Sequence, residues 1–128
     1  MRIERFEDME IWKEARELCR RIFEITSEGR FGSDYRFRDQ VRASAGSIMD
    51  NIAEGFERGG NKELIQFLSI AKGSCGEVRS QVHRAYDFKY LSEDVHTSLI
   101  GLTLNLSKHI SGFMTYLKNS QIKGTKYH

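Results

Sequence analysis

Apolar residues recur along this chain at gaps of three and four, the spacing that keeps one face of a helix apolar. The clearest row runs Phe37, Val41, Ala45, Ile48, Ile52, Phe56. Beside it runs a polar row of Ser44, Ser47, Asn51 and Arg58, with Glu54 at its outer edge. At 100° per residue that row sits about 90° to one side of the apolar one. Small and amide side chains there permit a close helix contact with hydrogen bonds across it. Three more apolar rows follow the same rule. The first is Ile11 or Trp12, Ala15, Leu18 with Cys19, Ile22, Phe23 and Thr26. The third is Leu64, Phe67 with Leu68, Ala71, Cys75, Val78, Val82 and Ala85, accompanied by a polar row of Ser74, Glu77 and Gln81. The fourth is Val95, Leu99, Leu102, Leu106, Ile110, Phe113 and Leu117, a regular a/d seam.

Punctuation between the rows sets the boundaries. Asp8 or Glu7 caps the first helix, and a Glu7 cap would staple Phe6 to Ile11. Glu28-Gly29-Arg30-Phe31-Gly32 ends it, with Gly29 at the C′ position. Ser33 or Asp34 caps the second helix, Gly59-Gly60 stops it, Asn61 caps the third and Ser92 the fourth. The spans predicted are 8–28, 34–57, 62–89 and 93–119, and proline, which breaks helix interiors, is absent. Four helices of such length joined by short turns make an all-α, antiparallel up-down bundle over residues 1–120, with 121–128 as a flexible basic tail. Gly73 and Gly76 sit inside the third helix at about 1 kcal/mol each relative to alanine, which points to close approach of another backbone.

Composition sharpens the picture in three places. With 128 residues, 39% apolar and 30% charged, the chain fits one soluble domain with a modest core, for which association would add burial. No apolar run approaches the ~20 residues that span a bilayer, and no apolar signal segment follows Met1, so a cytoplasmic protein is expected. Cys19 and Cys75 lie on apolar faces without C-x-x-C spacing and read as reduced core residues. Net charge is only +2, but residues 5–28 carry −2 while residues 61–89 carry +2. The fourth helix has a single formal charge, Lys108, between Val95 and Leu117. A helix so poor in charge is expected to be covered on more than one side, by the bundle and by a neighbouring copy.

The usual constellations for chemistry are missing. The single Glu-x-x-His, Glu93 to His96, falls in a first turn, and no two of His83, His96, His109 and His128 stand at i,i+3 or i,i+4, so no metal site is expected. There is no glycine-rich phosphate loop, no nucleophile elbow and no base beside Ser47 or Ser74. Glu54 and Glu77 would form a carboxylate pair only if two helices brought them together; contact-forming side chains are the simpler reading. A basic edge with an aromatic remains: Lys72, Arg79, His83 and Tyr86 on the third helix suit RNA phosphate and a stacked base, although a solvated face has the same pattern.

The chain resembles the four-helix bundle proteins of the 23S rRNA intervening-sequence family over residues 6–117. The resemblance rests on Phe6-Glu7-Asp8-Met9-Glu10-Ile11-Trp12, Gln40-Val41-Arg42, and Ser47-Ile48 with Asn51-Ile52-Ala53-Glu54-Gly55. It continues through Phe67-Leu68 and Ile70-Ala71-Lys72-Gly73-Ser74 to Glu77. Phe31-Gly32 departs from the Phe-Pro usual there. The resemblance implies a homopentameric ring, a bacterial source, an RNA or RNA–protein partner, and no catalytic residues or cofactor. More remotely, the chain is similar to the accessory protein of diversity-generating retroelements, a basic pentamer that binds RNA and a reverse transcriptase. Ser47, Asn51, Glu54, Ser74 and Glu77 match the motif and are assigned to helix packing or subunit contact. A non-enzymatic RNA-associated oligomer is therefore expected first, and a protein-interaction scaffold without nucleic acid second. An enzyme using Glu54 and Glu77 comes third.

Overall fold

In the computed structural model, residues 3–120 are described; the expected basic tail at 121–128 lies outside them. A single 3-10 turn, Phe6–Asp8, precedes five helices: α1 Glu10–Ile25, α2 Gly29–Ser33, α3 Tyr35–Glu57, α4 Asn61–Asp87 and α5 Glu93–Asn119. No strand occurs among the described residues. The four long helices form the bundle.

Their directions follow from the contacts. Ser47 meets Ser74 and Ser44 meets Gln81, so α3 and α4 run antiparallel. Cys75 donates to the Thr103 carbonyl and His83 meets His96, which sets α5 antiparallel to α4. Arg21 reaches Ser98 and Glu14 reaches His109, which sets α1 antiparallel to α5. The core holds Ile11, Ala15, Leu18 and Ile22 of α1 and all six residues of the Phe37–Phe56 row. Leu64, Leu68, Ala71, Cys75, Val78, Val82 and Ala85 of α4, and Leu99, Leu106, Ile110 and Leu117 of α5, complete it. Within the fourth row Val95, Leu102 and Phe113 are only partly buried, while Thr103 is fully buried and returns its hydroxyl to the Ile100 carbonyl.

Several boundaries differ from those expected. α1 starts after Met9, not Asp8 or Glu7, because residues 6–8 close a 3-10 turn (Met9 N–H to Phe6 C=O, 2.9 Å) that pulls Met9 into the core. Phe6 then packs edge-on against Trp12, ring centroids 5.3 Å apart, rather than stapling Ile11. α1 ends at Ile25, earlier than residue 28. Thr26 Oγ1 donates back to the Ile22 carbonyl and Ser27 Oγ to that of Phe23. Arg42 from α3 donates to the Thr26 carbonyl and hydroxyl and to Ser27 Oγ. The helix end is thus satisfied from a neighbouring helix. Ile22 takes the core position, so Phe23 is turned out, 57% exposed, beneath the Arg42 guanidinium. Gly29, at φ +60°, starts the short α2 where a turn was expected. That helix buries Phe31 against Phe37 and Tyr90. α3 is capped by Asp34 and α5 by Ser92, as expected. α4 is preceded by Gly60 in extended backbone, with Asn61 already helical.

The close backbone approach also lies elsewhere. A Cβ at Gly73 or Gly76 would meet nothing within 4 Å in this chain. At Gly55 it would stand 2.7 Å from Phe67 Cβ and 3.0 Å from Leu64 Cδ1. Glycine at that point of the Asn51–Gly55 stretch lets α3 and α4 meet just before their turn. Gly55→Ala is expected to destabilise by about 1–3 kcal/mol, since helix backbones must shift. Gly46→Ala, with open space at its Cβ, should stabilise by up to about 1 kcal/mol. Urea denaturation of both variants reads the opposite signs.

Candidate nucleic-acid interface

The basic residues singled out in sequence lie on α4 along its α5 side. Lys72 is exposed, Arg79 half-buried, and His83 and Tyr86 exposed. Fourteen residues of helix separate the first from the last, about 21 Å of edge. Among the described residues neither the Lys72 nor the Arg79 side chain forms a hydrogen bond or ion pair. His83 and Tyr86 are engaged, and by the same residue. His83 Nδ1 and His96 Nε2 of α5 stand 3.0 Å apart in one imidazole–imidazole hydrogen bond. The Tyr86 ring stacks on His96 with centroids 4.2 Å apart and planes 11° apart. Sequence spacing on a single helix does not reveal this pairing. Its signal is positional: His83 lies one turn before the end of α4 and His96 one turn into α5, so an antiparallel hairpin sets them side by side.

That hairpin turns at Lys89, whose φ of 64° puts a side-chain-bearing residue in left-handed backbone. Tyr90 N–H reaches back to the Ala85 carbonyl and closes the helix end. Tyr90 also donates its hydroxyl to Asp34, 2.8 Å away, and that bond pushes the phenol above its ordinary value. Around it Phe31, Phe37, Phe88 and Tyr90 form an aromatic cluster, with Arg84 over Phe37 and Arg30 over Tyr90. Four more arginines are held this way: Arg16 lies over Trp12, Arg38 over Tyr35, Arg42 over Phe23 and Arg58 over Phe67. Such contacts fix a guanidinium while leaving its charge in place.

The polar row of α3 serves the helix contact. Ser47 and Ser74 hydroxyls lie 3.0 Å apart, and Asn51 Nδ2 donates to the Ser47 carbonyl and hydroxyl. Gln81 Nε2 donates to Ser44 Oγ, while its buried Oε1 has no partner among the described residues. No imidazole or carboxylate hydrogen-bonds to either Ser47 or Ser74 there. Glu54 and Glu77 are not brought together. Taking Ser47 opposite Ser74 as the level, Glu54 lies toward one end of the pair and Glu77 toward the other, about 15 Å apart along the axis. Glu54 instead pairs with Arg58 at 3.0 Å on the surface, and Glu77 is exposed. Among the described residues no three His, Cys, Asp or Glu side chains stand together as a metal-binding group. A cavity of about 780 Å³ opens between α1 and α5 over Ile3, Met9, Ile11 and Phe113, with the Glu14–His109 pair at its rim.

Fold and surface together describe a helical bundle in which the polar row of α3 serves the contact with α4. The chain belongs to the 23S rRNA-intervening sequence protein family, whose model matches residues 7–112. In fold it is similar to a crystal structure from Bacteroides thetaiotaomicron VPI-5482, described as a protein with unknown function from the S23 ribosomal protein family. That likeness has a TM-score of 0.73 at 17% identity and covers 81% of this chain and 97% of the other. No curated protein matches the chain.

Both cysteines are free thiols. Burial pushes Cys75 up to about 11 against an ordinary 9.0, and burial, then the nearby Asp50 charge, raises half-buried Cys19 as well. Cys75 should therefore resist thiol reagents near neutral pH until the protein unfolds, with Cys19 modified first; mass spectrometry after timed labelling checks the order. A raised thiol stabilises the fold below its unfolded value, and that contribution is lost as pH rises through the folded one. Stability should thus fall between pH 9 and about 11, less steeply in Cys75→Ala.

Proposed function

We propose that this protein is a non-enzymatic, oligomeric RNA-binding protein of the bacterial cytoplasm, acting on RNA or an RNA–protein complex. The observation that carries this reading is the α4 edge. Lys72 and Arg79 carry charges with no partner among the described residues, where other arginines rest on aromatic rings. His83 and Tyr86 continue the edge with polar and aromatic surface. The family's description, which names an intervening sequence of ribosomal RNA, fits a partner of this chemistry. A net charge of +2 is small for one chain. A ring of five repeats the edge five times, and phosphate contacts add.

The assembly itself is read from α5. Between Val95 and Leu117 its outer surface carries Gly101, Leu104, Asn105, Gly112 and Thr115 with Lys108 as the one formal charge, and Leu104 is 50% exposed. Gly73 on α4, about 100° round the helix from Lys72, leaves open space that no described backbone of this chain fills, so in this reading the approaching helix belongs to another copy. Exposed Glu54 and Glu77 suit the same contact. A protein-interaction scaffold without nucleic acid is the second reading, favoured by the exposed apolar side chains Phe23 and Ile70.

Light scattering should give about 74 kDa, five copies of 14.8 kDa, and Gly73→Leu should lower that mass without unfolding the bundle. A monomer would remove the ring. Lys72→Glu with Arg79→Glu should weaken RNA binding and flatten the dependence of log K on log salt by about one unit for each phosphate no longer neutralised. Unchanged affinity would exclude this edge, and a ring that retains no RNA would favour the scaffold.

A further inference from the structure

The His83–His96 pair is not part of the apolar core of the α4–α5 hairpin, since His83 is exposed and His96 half-buried beneath Tyr86. Their facing nitrogens come from different helices, so the contact is set by tertiary structure. The separation is 3.0 Å. Two imidazoles at about 2.0–2.1 Å from one metal ion place their nitrogens about 2.9 Å apart in neighbouring corners of a square plane, and about 3.4 Å apart in a tetrahedron. The observed separation, set by the shared hydrogen bond, lies close to both bites, and among divalent first-row ions Cu²⁺ binds such nitrogen donors most tightly. The geometry points to a two-imidazole site, formed by His83 Nδ1 and His96 Nε2, for a divalent late transition metal with Cu²⁺ held most tightly.

Three features support the assignment. Tyr86, stacked on His96, restricts that ring and lowers the entropy lost on binding. The metal replaces the one proton that the two rings share, and the solvent-facing side of the pair lets the rings turn by the roughly 40° that aims both lone pairs at a common ion. The site faces solvent, so water can supply the remaining ligands. No third His, Cys, Asp or Glu joins the pair among the described residues, which makes the site exchangeable rather than structural. Bound metal would bridge the end of α4 to the start of α5 across the turn at Lys89 and hold the hairpin closed. None of this depends on RNA binding.

The test uses the full, untagged chain, stripped with chelator and titrated with Cu²⁺ alone, then with Ni²⁺ and Zn²⁺. Electron paramagnetic resonance should show two nitrogen couplings at one equivalent of Cu²⁺. His83→Gln and His96→Gln should each weaken binding at least tenfold and leave one nitrogen, whereas His109→Gln should change neither. Amide exchange in residues 93–99 should slow with Cu²⁺ in the parent and not in either variant, a response that metal bound elsewhere does not give. Equal affinity and the same spectrum in the His83→Gln/His96→Gln protein, or no change in exchange, would overturn the assignment.

Discussion

The contact between α3 and α4 is the constraint on which the rest of the bundle depends. At its lower end Gly55 lacks the Cβ that would strike Phe67, so the two helices close as soon as the Gly59–Gly60 turn allows. Farther along, Ser47 meets Ser74 and Gln81 meets Ser44. Each neutral hydrogen bond adds only about 1 kcal/mol net. Their larger effect is on register, because a slide by one turn would strand several buried polar atoms at about 1–3 kcal/mol each. The apolar rows supply the bulk of the stabilisation and tolerate small shifts. The polar rows select one shift. α5 then seats on α4 through Cys75 and Thr103, and α1 closes the bundle against α3 and α5.

The long helices were legible because their rows are long. All six residues from Phe37 to Phe56 are buried, as are seven of the eight in the α4 row, Phe67 being half-covered beside Gly55. Where a row is short, or two adjacent residues compete, periodicity does not decide. Ile22 and Phe23 both fit the α1 row; the core admits Ile22, and Arg42 stabilises the displaced ring. Helix ends were harder for a related reason. The end of α1 is fixed by Arg42, a residue of α3, and its start by Met9 sinking into the core. Neither is a local signal. Phe31 likewise sits in a segment with the glycines of a turn, and its helix forms because Phe37 and Tyr90 bury the ring.

The candidate surface was legible as a row on one helix and illegible as a site. Lys72, Arg79, His83 and Tyr86 share an edge at helical spacing, and that much follows from numbering. What sequence spacing on α4 alone does not contain is His96, which belongs to another helix and engages both His83 and Tyr86. The expected carboxylate pair fails for the mirror-image reason. Glu54 and Glu77 occupy matching faces of their helices, but the antiparallel register fixed by Ser47 and Ser74 carries them to opposite ends of the contact.

Charge distribution connects these points. The chain has 20 Lys and Arg against 18 Asp and Glu, which by totals describes a nearly neutral surface. Totals conceal how the charges are occupied. Arg20 is shared between Glu17 and Glu24, Arg58 is held by Glu54 and by the Phe67 ring, and Arg42 is consumed in closing α1. The exposed carboxylate pairs contribute little to stability, about 0–1 kcal/mol each, but they cancel the field beyond a few ångströms, whereas Arg42, held by neutral partners, keeps its charge. Lys72 and Arg79 are not cancelled in this way. Along α4 the local field therefore depends on how these two cations stand against the exposed carboxylates of the same helix, Glu63, Glu77 and Asp87. α5 bears on the same point from the other side. With Lys108 as its one formal charge between Val95 and Leu117, it contributes little to the field and offers a face whose burial would leave a single ammonium to be accommodated. Burying an unpaired ion costs several kcal/mol, so a face with one lysine, whose long stem can carry its charge to the rim, is cheaper for a helical bundle to cover than one with many ions.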